Sequence, residues 1–285
     1  MENLVFYKRT PIFTQETVPQ TLLNRHNTKV GTWGNIKVLK GQLKFEAMTE
    51  DDQVLSETII EPNKSIPMVE PQAWHRVSLL TEDTSFFVEF YCKPEDYFAK
   101  KYQYSPAHSE VIEALETVSP GYALDLGCGA GRNALYLAHQ GFDVVAVDQS
   151  SQGLQMLQSV ALEEDLDIQI GTYDINEAAL RGHYDFIVST VVFMFLDRER
   201  IPAIIQNMQE QTNVGGYHLI VAAMDTEDAP CVMPFSFTFK EGELAAYYKD
   251  WEVIKYNENF GHLHKRDEHG NRIRMRFATL LARKK

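Results

Sequence analysis

The segment Ala123-Leu-Asp-Leu-Gly-Cys-Gly-Ala-Gly-Arg-Asn133 constrains this chain more than any other stretch. An apolar run, Tyr122–Leu126, enters glycines at 127, 129 and 131, and a helical pattern over residues 132–140 follows, closed by Gly141. Lacking Cβ atoms, these glycines let the backbone turn tightly and approach a ligand closely. A strand, a glycine turn and a helix in that order imply a parallel sheet covered on both faces. The downstream pattern agrees: strands at Asp143–Asp148, 167–172, Tyr184–Thr190 and 217–223, with helices at 154–161 and 201–211. Segments 251–256 and 274–282 read as two further strands, expected to close the sheet as an antiparallel pair.

The spacing does not suit a nicotinamide dinucleotide. That fingerprint places its third glycine three positions after the second; here it falls two after, and Arg132 comes next. Asp125 stands before the first glycine, where a carboxylate would repel a diphosphate but suits a ligand carrying an ammonium group and a sulfonium. Asp148, 17 residues past Gly131, ends the next strand and can accept both hydroxyls of a ribose.

Asp125-Leu-Gly-Cys-Gly-Ala-Gly131 resembles the first motif of class I S-adenosylmethionine methyltransferases, and Asp148 matches the acidic residue ending their second strand. The resemblance implies S-adenosyl-L-methionine as cofactor. It further implies Asp174 at the adenine amino group, Tyr173 and Ile175 flanking the ring, and Thr190 and Val191 lining the cofactor and methyl-transfer region. Arg132 and Lys101 are candidates for the methionine carboxylate. Phe193, Met194 and Phe195 are expected to wall the substrate pocket.

A narrower likeness lies in Tyr184-Asp-Phe-Ile-Val-Ser-Thr-Val-Val-Phe-Met-Phe-Leu196, Gly215-Gly-Tyr-His-Leu-Ile-Val-Ala-Ala-Met-Asp-Thr226, Phe239-Lys-Glu-Gly-Glu-Leu244 and Arg276-Phe-Ala-Thr-Leu-Leu-Ala-Arg-Lys-Lys285. These strings resemble the TehB-type tellurite-resistance methyltransferases over essentially all of residues 93–285. The family implies methylation of tellurite, and of selenium oxyanions, as detoxification. An anionic substrate needs cationic groups, and residues 261–274 are rich in them. The resemblance implies a role in activity for His264, Lys265 and Arg272; Lys265 stands where an Arg can occur in the family, and the two differ in bidentate contacts. Two other readings stay open at this point: a methyltransferase for a thiol or amine metabolite, and a non-catalytic cofactor-binding sensor.

Residues before 93 have a different texture. Period-two segments at 35–39, 41–48, Val54–Ile60 and 85–91, separated by Gly, Pro or Asn, suggest a small all-β barrel or sandwich. Residues 22–34 and 69–77 resemble the cupin-like β-domain that precedes the methyltransferase in longer family members. A cupin metal site draws on a His-x-His pair, which is missing; only His26 and His75 are evident, so no metal is assigned. The expected division is therefore 1–92, a cupin-like all-β domain, and 93–285, a Rossmann-like α/β methyltransferase domain.

Charge bounds the partners. The net charge is −13, and residues 93–260 carry 10 basic against 26 acidic groups, whereas residues 261–285 carry 8 against 2. An acidic surface argues against nucleic acid and anionic membrane and leaves a small oxyanion as the expected partner, with homo-oligomerisation open. Three cysteines without a Cys-x-x-Cys pair, and no leader-like or membrane-length apolar run, point to a reducing, cytoplasmic setting.

Overall fold

The structure, a computed structural model, describes residues 3–64, 66–266 and 268–285, with the side chain of His264 excepted. Two units separate, Met1–Pro106 and Ala107–Lys285. In the first, alternating side chains produce strands β1 (Val5–Arg9), β2 (Trp33–Lys40), β3 (Leu43–Met48), β4 (Val54–Ile60), β5 (His75–Leu79) and β6 (Ser85–Cys92), with helix α1 (Gln20–Leu23) between β1 and β2. They form two three-stranded antiparallel sheets, ordered β1-β6-β2 and β4-β3-β5. Every second side chain faces inward, so Ile36, Val38, Leu43, Ile60, Val77 and Phe86 share one core. Gly41, at φ +69°, turns β2 into β3; a Cβ there would stand 2.3 Å from Thr81 Oγ1. Strands β1 and β5 have no counterpart among the expected runs, because Lys8, Arg9, His75 and Arg76 break the apolar alternation. After β6 come a 3₁₀ turn, Pro94–Asp96, and α2 (Tyr97–Tyr102), which lies in this unit and buries Tyr97 and Phe98.

The second unit begins with α3 (Ser109–Ala114) and continues through β7 (Tyr122–Leu126), α4 (Arg132–His139), β8 (Asp143–Asp148), α5 (Ser151–Glu163), β9 (Ile168–Thr172) and β10 (Tyr184–Thr190). It ends with α6 (Ile201–Glu210), β11 (Thr212–Ala223), α7 (Glu243–Ala246), β12 (Glu252–Arg266) and β13 (Arg272–Arg283). The seven-stranded sheet has the order β12-β13-β11-β10-β7-β8-β9. Five strands are parallel, and β13 runs antiparallel to both its neighbours. Strands β7 and β10 are adjacent, yet the chain winds away from them in opposite directions. Their carboxyl ends are thus the switch point at which sheets of this kind open a ligand crevice.

The terminal hairpin is longer than expected. Its backbone ladder continues past the sheet through His262↔Arg274 to Arg266↔Arg272. The charged outer half hides this from an apolar-periodicity reading, and cation–π contacts replace apolar pairs: Arg274 lies 3.6 Å and Arg276 4.3 Å from the Phe260 ring. Among the described residues no helix is long and apolar enough to cross a membrane.

Candidate active site

A cleft of about 380 Å³ opens at the switch point, within the range of small-molecule sites. Gly127, from the β7 end, and Thr190, Val191 and Val192, from the β10 end, form its middle. Asp148 and Gln149 close one side, with Tyr173, Ile175 and Asn176 beside them; Phe195 and Leu196 close the other.

The glycine turn is built by close approach. Gly127 and Cys128 donate their N–H groups to Val147 O at 2.9 and 3.0 Å, which pins the turn to β8. Gly127 has φ +80°, and a Cβ there would meet both γ-carbons of Val192 at 2.6 Å. Gly129 differs: with φ +56°, its missing Cβ leaves nothing within 4 Å, so the middle of the turn borders open space. Gly153, the third residue of α5, has the carbonyl of Gly129 2.7 Å from where its Cβ would be. This fourth glycine lets α5 seat against the turn, and the sequence reading omitted it.

Asp148 ties that turn to the start of α5. Gly129 N–H donates to Oδ2 at 2.8 Å and Ser150 N–H to Oδ1 at 2.7 Å. Each oxygen keeps a further lone pair, so the carboxylate can still accept two ribose hydroxyls.

Asp125 occupies a different place from the one expected. It is 1% exposed, does not border the cleft, and accepts the Ala134 N–H of α4 at 3.0 Å. Burial pushes its carboxyl up to about 7. A carboxyl here caps the positive end of α4 and positions the turn from below, rather than meeting a ligand's ammonium group directly. Arg132, the first residue of α4, is half-buried beside it.

Beside Asp148, Tyr173 and Ile175 border the cleft, and the Tyr173 hydroxyl accepts the Ala179 N–H at 2.8 Å. Asp174 caps the 3₁₀ turn Ile175–Glu177 through the Asn176 N–H at 2.9 Å, and Asn176 takes the cleft position beside it. The Thr190 hydroxyl receives Asn133 Nδ2–H at 3.0 Å. Val191 has φ +62°, a left-handed conformation that a β-branched residue rarely adopts, so the backbone is strained at the end of β10, where Thr190, Val191 and Val192 line the cleft.

Phe193 and Met194, expected to wall the pocket, are both 0% exposed. In the 3₁₀ turn Phe193–Phe195 successive side chains splay apart, sending Phe193 against Phe239 and Met194 against Met275 and Ala223. Phe195, 65% exposed, and Leu196 face the cleft instead, and Phe195 meets Phe235 edge-on at 5.7 Å. Lys101 lies in the first unit, where its Nζ donates to the Tyr97 hydroxyl at 3.1 Å. Lys265 is exposed on β12. Arg272 donates from Nε to Leu263 O at 2.9 Å and from Nη2 to His262 O at 3.1 Å, bracing its own hairpin. The side chain of His264 lies outside the described residues. Gln149, Asn176, Val192 and Leu196 carry no sequence signal of their own; they are identified by standing next to Asp148, Ile175, Val191 and Phe195.

A doubly wound sheet with an acidic residue ending its second strand, and a glycine turn facing open space between that residue and the switch point, defines an S-adenosylmethionine-dependent methyltransferase, and the relatives agree. The family described as tellurite resistance protein TehB matches residues 90–281, and the TehB-like domain matches residues 8–88. The chain is 56% identical, over the full length of both, to a probable S-adenosyl-L-methionine-dependent methyltransferase TehB of Haemophilus influenzae (strain ATCC 51907 / DSM 11121 / KW20 / Rd). It is 49% identical to hemagglutinin 1 of Eikenella corrodens, over 83% of this chain and 79% of that one. The crystal structure of TehB from Haemophilus influenzae superposes with a TM-score of 0.97 at 56% identity, covering 99% of each chain. This chain belongs to the TehB family.

Proposed function

We propose that this methyltransferase acts on tellurite, and on selenium oxyanions by the same chemistry. The cofactor supplies a methyl group on a sulfonium, whose departing thioether needs no acid. The chain's own task is then alignment and exclusion of water. Asp148 orients the ribose, the Gly127–Gly131 turn passes close beneath the methionine portion, and Tyr173 with Ile175 brackets the adenine. Arg132 is assigned to the methionine carboxylate, and Thr190 and Val191 to the border of the reacting centre.

The observation that carries this reading is the absence of a general base among the described residues lining the cleft. Only Asp148 and Tyr173 there have titratable side chains, and both already hold backbone N–H groups. An amine substrate arrives protonated and needs a base. Tellurite and selenite instead bring a chalcogen lone pair. That pair forms the bond to the methyl carbon while the carbon–sulfur electrons pass to sulfur, giving the methylated oxyanion and S-adenosylhomocysteine. The oxyanion's negative charge is assigned to His264, Lys265 and Arg272 of the basic hairpin. Replacing His264 or Arg272 by Ala should lower tellurite turnover while leaving cofactor affinity nearly intact. Equal loss of cofactor binding in both variants would remove them from substrate recognition.

A further inference from the structure

His26 and His75 are 49 positions apart in the sequence, and nothing in their spacing groups them. The fold of the first unit brings them face to face. They are directly opposed in an antiparallel bridge, with His26 N–H donating to His75 O at 2.9 Å and His75 N–H to His26 O at 2.8 Å. Directly opposed residues share a face of the ladder, and the two ring centroids lie 4.1 Å apart.

The two rings are held in the same way. Nδ1 of His26 donates to Asn24 O at 3.0 Å, and Nδ1 of His75 to Ala73 O at 2.8 Å, in each case the carbonyl two residues earlier. A carbonyl only accepts, so both rings carry their proton on Nδ1 and present a lone pair on Nε2. The strands run antiparallel, so a local two-fold axis relates the pair. Neither Nε2 has a hydrogen-bond partner among the described residues, and neither is sealed off, because the buried side-chain polar atom without a partner is Arg25 Nη1 alone. Imidazoles held through Nδ1 by a backbone carbonyl, with Nε2 free, have the outer-shell arrangement of metal ligands.

We propose that His26 and His75 form a transition-metal site in the N-terminal unit, each supplying Nε2 to one late first-row divalent cation. No third carboxylate, thiol or imidazole gathers with them among the described residues. The remaining coordination positions therefore belong to water or a small exogenous ligand. Imidazole nitrogen favours copper, nickel and zinc over magnesium or calcium.

The test uses the full chain, freed of metal by chelator and titrated calorimetrically with Zn2+ and Ni2+ as chlorides, with Mg2+ as control. One equivalent of Zn2+ or Ni2+ should bind, Mg2+ should not, and His26→Ala and His75→Ala should each weaken that binding by at least about tenfold, the double variant adding little because the ligands serve one ion. In parallel, two-dimensional NMR of the ring nitrogens in the unaltered chain should show Zn2+ shifting Nε2 of two histidines, a readout that stands even if a variant fails to fold. Binding that persists unchanged in both variants, Mg2+ binding as tightly, or no saturable binding of Zn2+ or Ni2+ by the unaltered chain, would overturn the proposal.

Discussion

Changing Asp148 to Asn separates ligand binding from fold at one atom. Both carboxylate oxygens accept a backbone N–H, at 2.8 Å from Gly129 and 2.7 Å from Ser150. In D148N the amide must present its NH2 to one of these donors, so one backbone bond is lost whichever way the group turns. The same exchange removes the charge that strengthens hydrogen bonds from the two ribose hydroxyls. A hydrogen bond to a charged group contributes about 1.5–3 kcal/mol, and one amide oxygen can still accept, so the net loss is about 2–4 kcal/mol. At about 1.4 kcal/mol per decade, cofactor affinity should fall roughly 30- to 700-fold. Isothermal titration with S-adenosylhomocysteine measures this, and thermal unfolding checks that the variant folds. A ribose-deoxygenated analogue isolates the hydroxyl contribution: it should bind the unaltered chain weakly, and D148N should add little further loss. Full additivity of the two changes, or a D148N affinity within threefold of the starting value (~0.6 kcal/mol), would refute the role given to Asp148.

Two further expectations concern stability. His218 is buried, and because Thr212 Oγ1 donates to Met208 O, it accepts from His218 Nε2–H at 2.6 Å, while Nδ1 accepts from the Tyr248 hydroxyl at 2.7 Å. Burial lowers its pKa from 6.5 to about 3, so below pH 6.5 the unfolded chain binds a proton that the folded chain refuses. Stability from this group is complete above pH 6.5 and falls by up to about 1.4 kcal/mol per unit as pH drops towards 3; denaturant unfolding of H218Q against the unaltered chain should show that slope lost, and an equal slope in both would exclude His218 as its source. At Val191, φ +62° stores about 1–3 kcal/mol of strain that glycine would release, offsetting the lost side-chain packing. V191G should therefore unfold within about 1 kcal/mol of the starting protein, and a loss above about 3 kcal/mol would show that no strain is relieved.

The parallel part of the fold is legible in sequence because its signals are local. Strands β7, β8 and β10 are mostly apolar runs, and the glycines at 127 and 131 must stand where a Cβ would strike Val192 or Leu157. Asp148 is legible for the same reason, at the end of a run. Long-range geometry is not. Whether Asp125 faces the ligand or the first turn of α4 depends on how β7 packs, and spacing does not encode that. A 3₁₀ turn reads as an apolar run, so Phe193 and Met194 could not be told apart from Phe195 until the turn itself was seen. The outer half of the β12–β13 hairpin escapes an apolar-pattern reading because its pairs are arginine over phenylalanine. His26 and His75 meet only through an isolated bridge between distant segments.

The central claim is that the cleft presents a sulfonium methyl to a chalcogen oxyanion without help from a base. The most direct measurement incubates the chain with methyl-labelled S-adenosylmethionine and tellurite, and follows S-adenosylhomocysteine together with the labelled methylated tellurium oxyanion by mass spectrometry. Both products should appear in step and depend on tellurite. Cofactor binding with no S-adenosylhomocysteine beyond the oxyanion-free rate would contradict it.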